Sequence, residues 1–224
     1  MPEPLIHHRG IAVPLPQPDI NTDTIIRIDH YMSNARSKLG PFAFHVLRYS
    51  GDQPDPVCPL NQPPFQGASI LVASENFGCG SSREAAVWAL VGMGLKVIVA
   101  PSFADIFRQN AVKNGLAALI VEPAACAALQ QELLDGTHGQ RVAVDLASQT
   151  LVTPAGKTVP FEIGAFEREQ LMSGEDEITS TLKLSDQIEA QQQRWTSAHP
   201  WAEIDQNHEI FQLRNTRTKK EMPS

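Results

Sequence analysis

Three continuous apolar runs lie close together in the middle of the chain: 68–74 (ASILVAS), 95–100 (LKVIVA) and 116–121 (LAALIV). A strand covered on both faces of a parallel sheet shows no apolar/polar alternation, so these runs predict parallel strands. Residues 82–93 and 102–114 between them read as helices, the second opened by Ser102 with Asp105 three positions on, as in a capping pair. Helices of that length supply the crossovers that parallel neighbours require. A further helix is predicted over 123–134 (PAACAALQQELL), stopped by DGTHG at 135–139. From 141 to 163 the pattern turns to alternation, RVAVDLASQTLVTPAGKTVPFEI, punctuated at Pro154, Gly156 and Pro160, and predicts short antiparallel strands. Helices are expected again near 167–172 and over 186–194.

The flanks are less regular. Residues 1–67 hold only short apolar pieces such as 11–13 and 24–28, and Pro54, Pro56, Pro59, Pro63 and Pro64 make 51–67 a loop. So much irregular chain beside a regular core is more often functional than idle. His7 and His8, on what reads as an irregular terminus, are expected in solvent. The polar stretch 195–224, with Trp195 and Trp201, is expected to be extended or partly disordered. The expected organisation is therefore one domain over 1–194 and a tail over 195–224.

Composition narrows the class. Lys and Arg total 18 against 25 for Asp and Glu, a net charge of −7, which disfavours a protein that coats nucleic acid or lies on a membrane surface. No window approaches the roughly 20 apolar residues that span a bilayer. Prolines interrupt the apolar stretches at the start of the sequence, so no export leader is expected. Cys58, Cys79 and Cys126 are too few and too scattered for a disulfide framework or a metal cage, and the seven histidines share no ligand-like spacing. A cytoplasmic chain that binds no metal by itself is the expectation.

The chemistry concentrates at 76–84, Asn-Phe-Gly-Cys-Gly-Ser-Ser-Arg-Glu, between a predicted strand and a predicted helix, where parallel sheets bind ligands. Gly78 and Gly80 permit backbone conformations that other residues resist and allow close approach. Ser81 and Glu84 have the spacing of a capping box, which would aim free helix amides over the turn. Arg83 opposes the dipole preference for acids in the first turn, so an anion is expected beside it. The turn has no lysine and so is not a P-loop, and Arg83 stands where a dinucleotide fingerprint needs its third glycine. On residues alone, Ser81 and Ser82 could simply cap the helix, Arg83 could pair with Glu84 or a neighbouring acid, and Asp23 could bind a ligand or close an Asx turn after Asn21. Cys79 reads as a small turn residue.

With WAL following it, and with SFADIFRQNAVKNGLAAL at 102–119, this turn resembles the C-terminal swivel domain of the aconitase superfamily. The closer resemblance is to its separate-chain form, the small subunit of isopropylmalate dehydratases. DINTDTII at 19–26 and GEDEI at 174–178 are similar to further motifs of that family, so the resemblance runs from about 10 to 190. It implies an α/β fold, a swivelling three-layer β/β/α domain with a parallel central sheet. It also implies a two-chain hydro-lyase whose large subunit carries a 4Fe-4S cluster while this chain closes over the substrate. The implied reaction interconverts 2-isopropylmalate and 3-isopropylmalate through an alkene, in leucine biosynthesis. By matching position, Ser81 is the base, Ser82 and Arg83 hold a substrate carboxylate, and Arg36 is a second substrate-binding arginine; Gly78 and Gly80, which let a ligand approach, are counted with the substrate-binding residues. Many relatives read SREHA where this chain has Ala85 after Glu84, and a proline where it has Arg27. Both departures leave other malate-like diacids open as substrates (citramalate, dimethylmalate or homocitrate), and a non-catalytic anion-binding module remains a third alternative.

Overall fold

The apolar runs become neighbouring strands because each must be covered on both faces. In the computed structural model, which describes residues 3–80 and 83–199, the order is β1 (His7–Leu15), α1 (Thr22–Ile25), α2 (Ile28–Ser33), α3 (His45–Arg48), β2 (Tyr49–Ser50), β3 (Gln53–Pro54) and β4 (Ile70–Ala73). There follow α4 (Glu84–Met93), β5 (Val97–Ala100), α5 (Asp105–Lys113), β6 (Ala117–Ile120), α6 (Pro123–Asp135) and β7 (Arg141–Asp145). The last elements are β8 (Thr150–Val152), β9 (Thr158–Pro160), α7 (Ala165–Ser173), α8 (Glu177–Leu182) and α9 (Ser185–Ala198). The chain divides into two compact units, Met1–Glu177 and Ile178–Ser224.

In the first unit, seven strands form one sheet in the order β6-β5-β4-β1-β7-β8-β9. The β6-β5-β4-β1 half is parallel, and β1-β7-β8-β9 is antiparallel. β1 joins the halves by dividing its own length. Residues 7–11 pair antiparallel with β7, and residues 12–15 pair parallel with β4. Pro14, which has no N–H to give, falls where β7 has already ended. The smaller β-layer is thus continuous with the parallel one through this strand. Residues 51–67 are, as expected, mostly loop, with short turns at Pro59–Asn61 and Pro63–Phe65.

Side-chain alternation sends the buried strand residues into two cores. Leu71, Ala73, Ile98 and Ala100 pack with Ala86, Val87 and Leu90 of α4 and Phe107 of α5. Ile70, Val72, Val97 and Val99 pack with Cys126, Leu129 and Leu133 of α6 and with Val142 and Leu151 of the antiparallel half. All these residues are at most 3% exposed. Full burial of one such aliphatic side chain stabilises by about 1.5–3 kcal/mol, so the two clusters are the main source of order. α6 starts on Pro123, with the Glu122 carboxylate accepting the Ala125 N–H at 3.1 Å, and ends on Gly136 at φ +63°.

Several sequence expectations need correction. His7 and His8 are not on an irregular terminus but open β1: His8 Nε2 lies 2.7 Å from Ser69 Oγ, and His7 Nδ1 lies 3.5 Å from Asp145. The strand escaped notice because its antiparallel half carries few apolar residues. α5 begins at Asp105, and Ser102 does not cap it; its hydroxyl accepts the N–H of Asn76 at 2.8 Å instead. α4 begins at Glu84, with Arg83 at the N-cap making no capping bond, so Glu84 cannot act as the third residue of a capping box. Trp195–Ala198 continues α9, while 200–224, the rest of the expected tail, lies outside the described residues. Among the described residues, no helix is long and apolar enough to cross a membrane.

Candidate active site

The glycine turn after β4 is stitched on two sides. Gly78 N–H donates to Ile20 O at 2.7 Å, and Thr22 N–H donates to Cys79 O at 2.9 Å. On the other side Phe77 N–H donates to Ser102 O at 3.1 Å, and Ala104 N–H donates to Phe77 O at 3.0 Å. Asn76, itself at φ +57°, donates its side-chain amide to Asp19 at 2.7 Å. Phe77 is fully buried beneath the turn, edge-on to Phe107 with ring centroids 5.3 Å apart. Both glycines are required, though for unequal reasons. Gly78 has φ +79°, and a Cβ there would lie 2.2 Å from the Phe107 ring; Gly80 has φ +96°, but a Cβ would meet nothing closer than 3.5 Å. Cys79 fits the turn-residue reading, half-buried with its thiol 3.5 Å from Asp19 O.

The turn delivers Arg83 to the N-terminal end of α4. Its Nη1 donates to Asp23 in an ion pair, and the guanidinium carbon stands 5.9 Å from the Tyr31 ring centroid. Asp23 is available because Asn21, not Asp23, closes the local turn: Asn21 Oδ1 caps α1 by accepting the Thr24 N–H at 2.8 Å. Arg36 is linked to α4 as well. Its Nη2 donates to Asn114 Oδ1 at 2.5 Å, and its guanidinium lies 4.7 Å from the centroid of the Trp88 ring. Asn114 in turn donates to Glu84 Oε1 at 2.9 Å, so Arg36 is linked through Asn114 to the residue that follows Arg83. Ser81 and Ser82 lie outside the described residues.

Around Arg36 the chain is held by aromatic stacking. His30 stacks on Phe42 at 4.4 Å and lies 5.1 Å from His45, which stacks on Tyr49 at 4.6 Å. Burial, then the neighbouring His45, push the His30 pKa down. Sequence reasoning missed Asp23 as the partner of Arg83, and it missed Tyr31, Trp88 and Asn114 altogether. Asp23, Trp88 and Asn114 all lie in the motifs that carry the resemblance, at 19–26, 88–90 and 102–119, but those motifs do not show which residues they meet.

The thiols do not converge. Cys58 packs in one core and Cys126 in the other, on opposite faces of the sheet, with Cys79 at the turn. Burial raises the Cys58 pKa and pushes that of Cys126 up to about 12. Among the described residues, no three His, Cys, Asp or Glu side chains gather as metal ligands. This donor set does not fit an iron–sulfur cluster held by this chain.

The Aconitase C-terminal domain family matches residues 3–124, and the LeuD_N family matches 131–165. The 3-isopropylmalate dehydratase small subunit of Cupriavidus necator is 42% identical over 206 residues, covering 91% of this chain and 99% of the relative. The protein of the same name from Neisseria gonorrhoeae is 42% identical over 202 residues, covering 86% and 94%. The chain belongs to the 3-isopropylmalate dehydratase small-subunit family. A crystal structure of 3-isopropylmalate dehydratase (leuD) from Methanocaldococcus jannaschii superposes with a TM-score of 0.60 at 27% identity, over 84% of this chain and 99% of that one. As a member of the small-subunit family, the chain has the expected α/β aconitase-like fold.

Proposed function

We propose that this chain works as the lid of a heteromeric hydro-lyase that interconverts 2-isopropylmalate and 3-isopropylmalate by dehydration and rehydration, a step in leucine biosynthesis. The observation that carries the reading is that Arg83 opens α4 and Arg36 is linked through Asn114 to the next residue, Glu84, in a chain so similar to named small subunits. Two guanidiniums suit a diacid, because each can grip a carboxylate with parallel N–H donors. Arg83 gives up its contact with Asp23 to one substrate carboxylate, assisted by the Ser82 hydroxyl, and Arg36 holds the other. Gly80, where a Cβ would meet nothing closer than 3.5 Å, leaves its backbone open to the substrate, while Gly78 gives its space to the Phe107 ring and shapes the turn.

Ser81 then removes the proton from the carbon beside a carboxylate, the hydroxyl leaves from the adjacent carbon, and water adds back in the opposite sense. A serine hydroxyl is far too weak an acid to serve as an alkoxide unless cations and amide donors stabilise it. Arg83 and the first amides of α4 come two and three residues after Ser81 in the chain and are the groups nearest in sequence for that task. A 4Fe-4S cluster on the large subunit is where Lewis-acid assistance to the departing hydroxyl belongs. The free cysteines among the described residues suit the cytoplasm.

The test is reconstitution. The purified chain, mixed anaerobically with its cluster-loaded large subunit, is expected to give alkene absorbance from 3-isopropylmalate. Neither chain alone should do so, and turnover by the large subunit without this chain would remove the lid role. Ser81→Ala is expected to lower kcat by about 10³-fold or more with the complex still assembled.

A further inference from the structure

Arg36 is exposed, on a short turn (Arg36–Lys38), and a long side chain in that setting ordinarily samples many rotamers. Here it does not lie loose. Its guanidinium rests on the face of Trp88, 4.7 Å from the ring centroid, and its Nη2 meets Asn114 Oδ1 at 2.5 Å. Asn114 cannot turn its amide over, because both N–H bonds are committed. Nδ2 donates to Glu84 Oε1 at 2.9 Å and to Asn110 O at 2.8 Å, which leaves Oδ1 to face the arginine. Glu84 is the residue next to Arg83, so the orientation of one guanidinium is fixed from the helix end that carries the other.

Trp88 points the same way. Its Nε1 is buried with no hydrogen-bond partner among the described residues, and phenylalanine at the same place would bring no such donor. What tryptophan adds over phenylalanine is a stronger face for a cation, and Arg36 occupies that face.

Resting on the reading above that Arg36 binds substrate, we infer that Asn114 is a positioning residue. Oriented by Glu84 and aided by the Trp88 ring, it holds the Arg36 guanidinium in place for a substrate carboxylate before substrate arrives. Preorganisation of this kind appears in substrate affinity more than in the chemical step, since the carboxylate is bound alike before and during reaction.

The experiment is a double-mutant cycle in the reconstituted two-chain enzyme, with kcat and KM for 3-isopropylmalate measured separately and melting temperatures recorded for each variant. Asn114→Ala is expected to raise KM about 5–20-fold with kcat changed less than twofold, and Arg36→Ala to raise KM further. Added to Arg36→Ala, Asn114→Ala should then raise KM by less than twofold. Asn114→Asp, which keeps an oxygen for Arg36 but sets a carboxylate against Glu84, is expected to recover part of the loss. A full, multiplicative Asn114 effect in the Arg36→Ala background overturns the inference and leaves the role of Arg36 standing. A lower KM in Asn114→Ala also overturns it, since the contact would then be holding Arg36 away from substrate. If Arg36→Ala leaves kcat/KM unchanged, the role of Arg36 itself fails, and the inference falls with it.

Discussion

At the scale of single residues, the site turn depends on two glycines with different tolerances. Gly78→Ala must adopt φ +79° and also displace the buried Phe107 ring, whereas Gly80→Ala bears only the backbone strain. Denaturant titration is expected to show a loss of about 3 kcal/mol or more for the first and about 1 kcal/mol for the second. Charge placement at the turn was legible in the sequence: an arginine at a helix N-terminus, beside glycines, pointed to an anion. The partner it holds in the free chain was not, because Asp23 is 60 residues away and only the return of the chain after β1 brings it near. The same holds for Arg36 and Asn114, 78 residues apart. Hydrogen bonds between distant loops leave no periodic trace in a sequence.

Elements carry the next set of consequences. β1 opens with His8 against Ser69 at the edge of β4, and burial, then the Lys96 charge, push the His8 pKa below its usual 6.5. The unfolded chain therefore binds more protons than the folded one between the folded value and 6.5, so stability is complete above about pH 6.5 and falls as pH drops through that window. His30 shifts the same way and adds to the slope. Asp145 is shifted downward, chiefly by the Ser148 backbone N–H, so its contribution is lost in a separate, more acidic range. Melting temperature measured from pH 7.5 to 5 should fall, less steeply in His8→Gln and least in His8→Gln/His30→Gln. On α6, Cys126 is 2% exposed, donates to Ala73 O at 3.2 Å, and has its thiol pKa pushed up to about 12. Because only the thiolate alkylates, Cys126 should stay unmodified by iodoacetamide at pH 8 in the native chain and react on unfolding, as read by peptide mass. The helices and strands themselves were largely legible, since apolar continuity marks strands and 3.6-residue spacing marks helices. Their starts were less so: Ser102 and the expected capping box at Ser81 and Glu84 had the spacing of caps, yet Ser102 bonds to Asn76, and Glu84 opens the helix and bonds to Asn114.

For the whole molecule, the buried apolar residues among those described run from Leu5 to Leu171, so both cores close within the first compact unit. A chain ending at residue 177 is expected to unfold cooperatively within about 3 °C of the full chain, checked by circular dichroism. A drop much larger than that would mean that 178–224 contributes to the cores. The sequence by itself determined the class of fold, the strand–turn–helix setting of the site, and the family, because apolar patterning and a contiguous motif are local properties that survive being read one residue after another. Only the tertiary structure decided that β1 serves two ladders in opposite senses, that Asp23 takes Arg83, and that Trp88, Asn114 and Glu84 fix Arg36. Those are meetings of segments far apart in the chain, set by which faces must be covered and which donors must find acceptors once the sheet has closed.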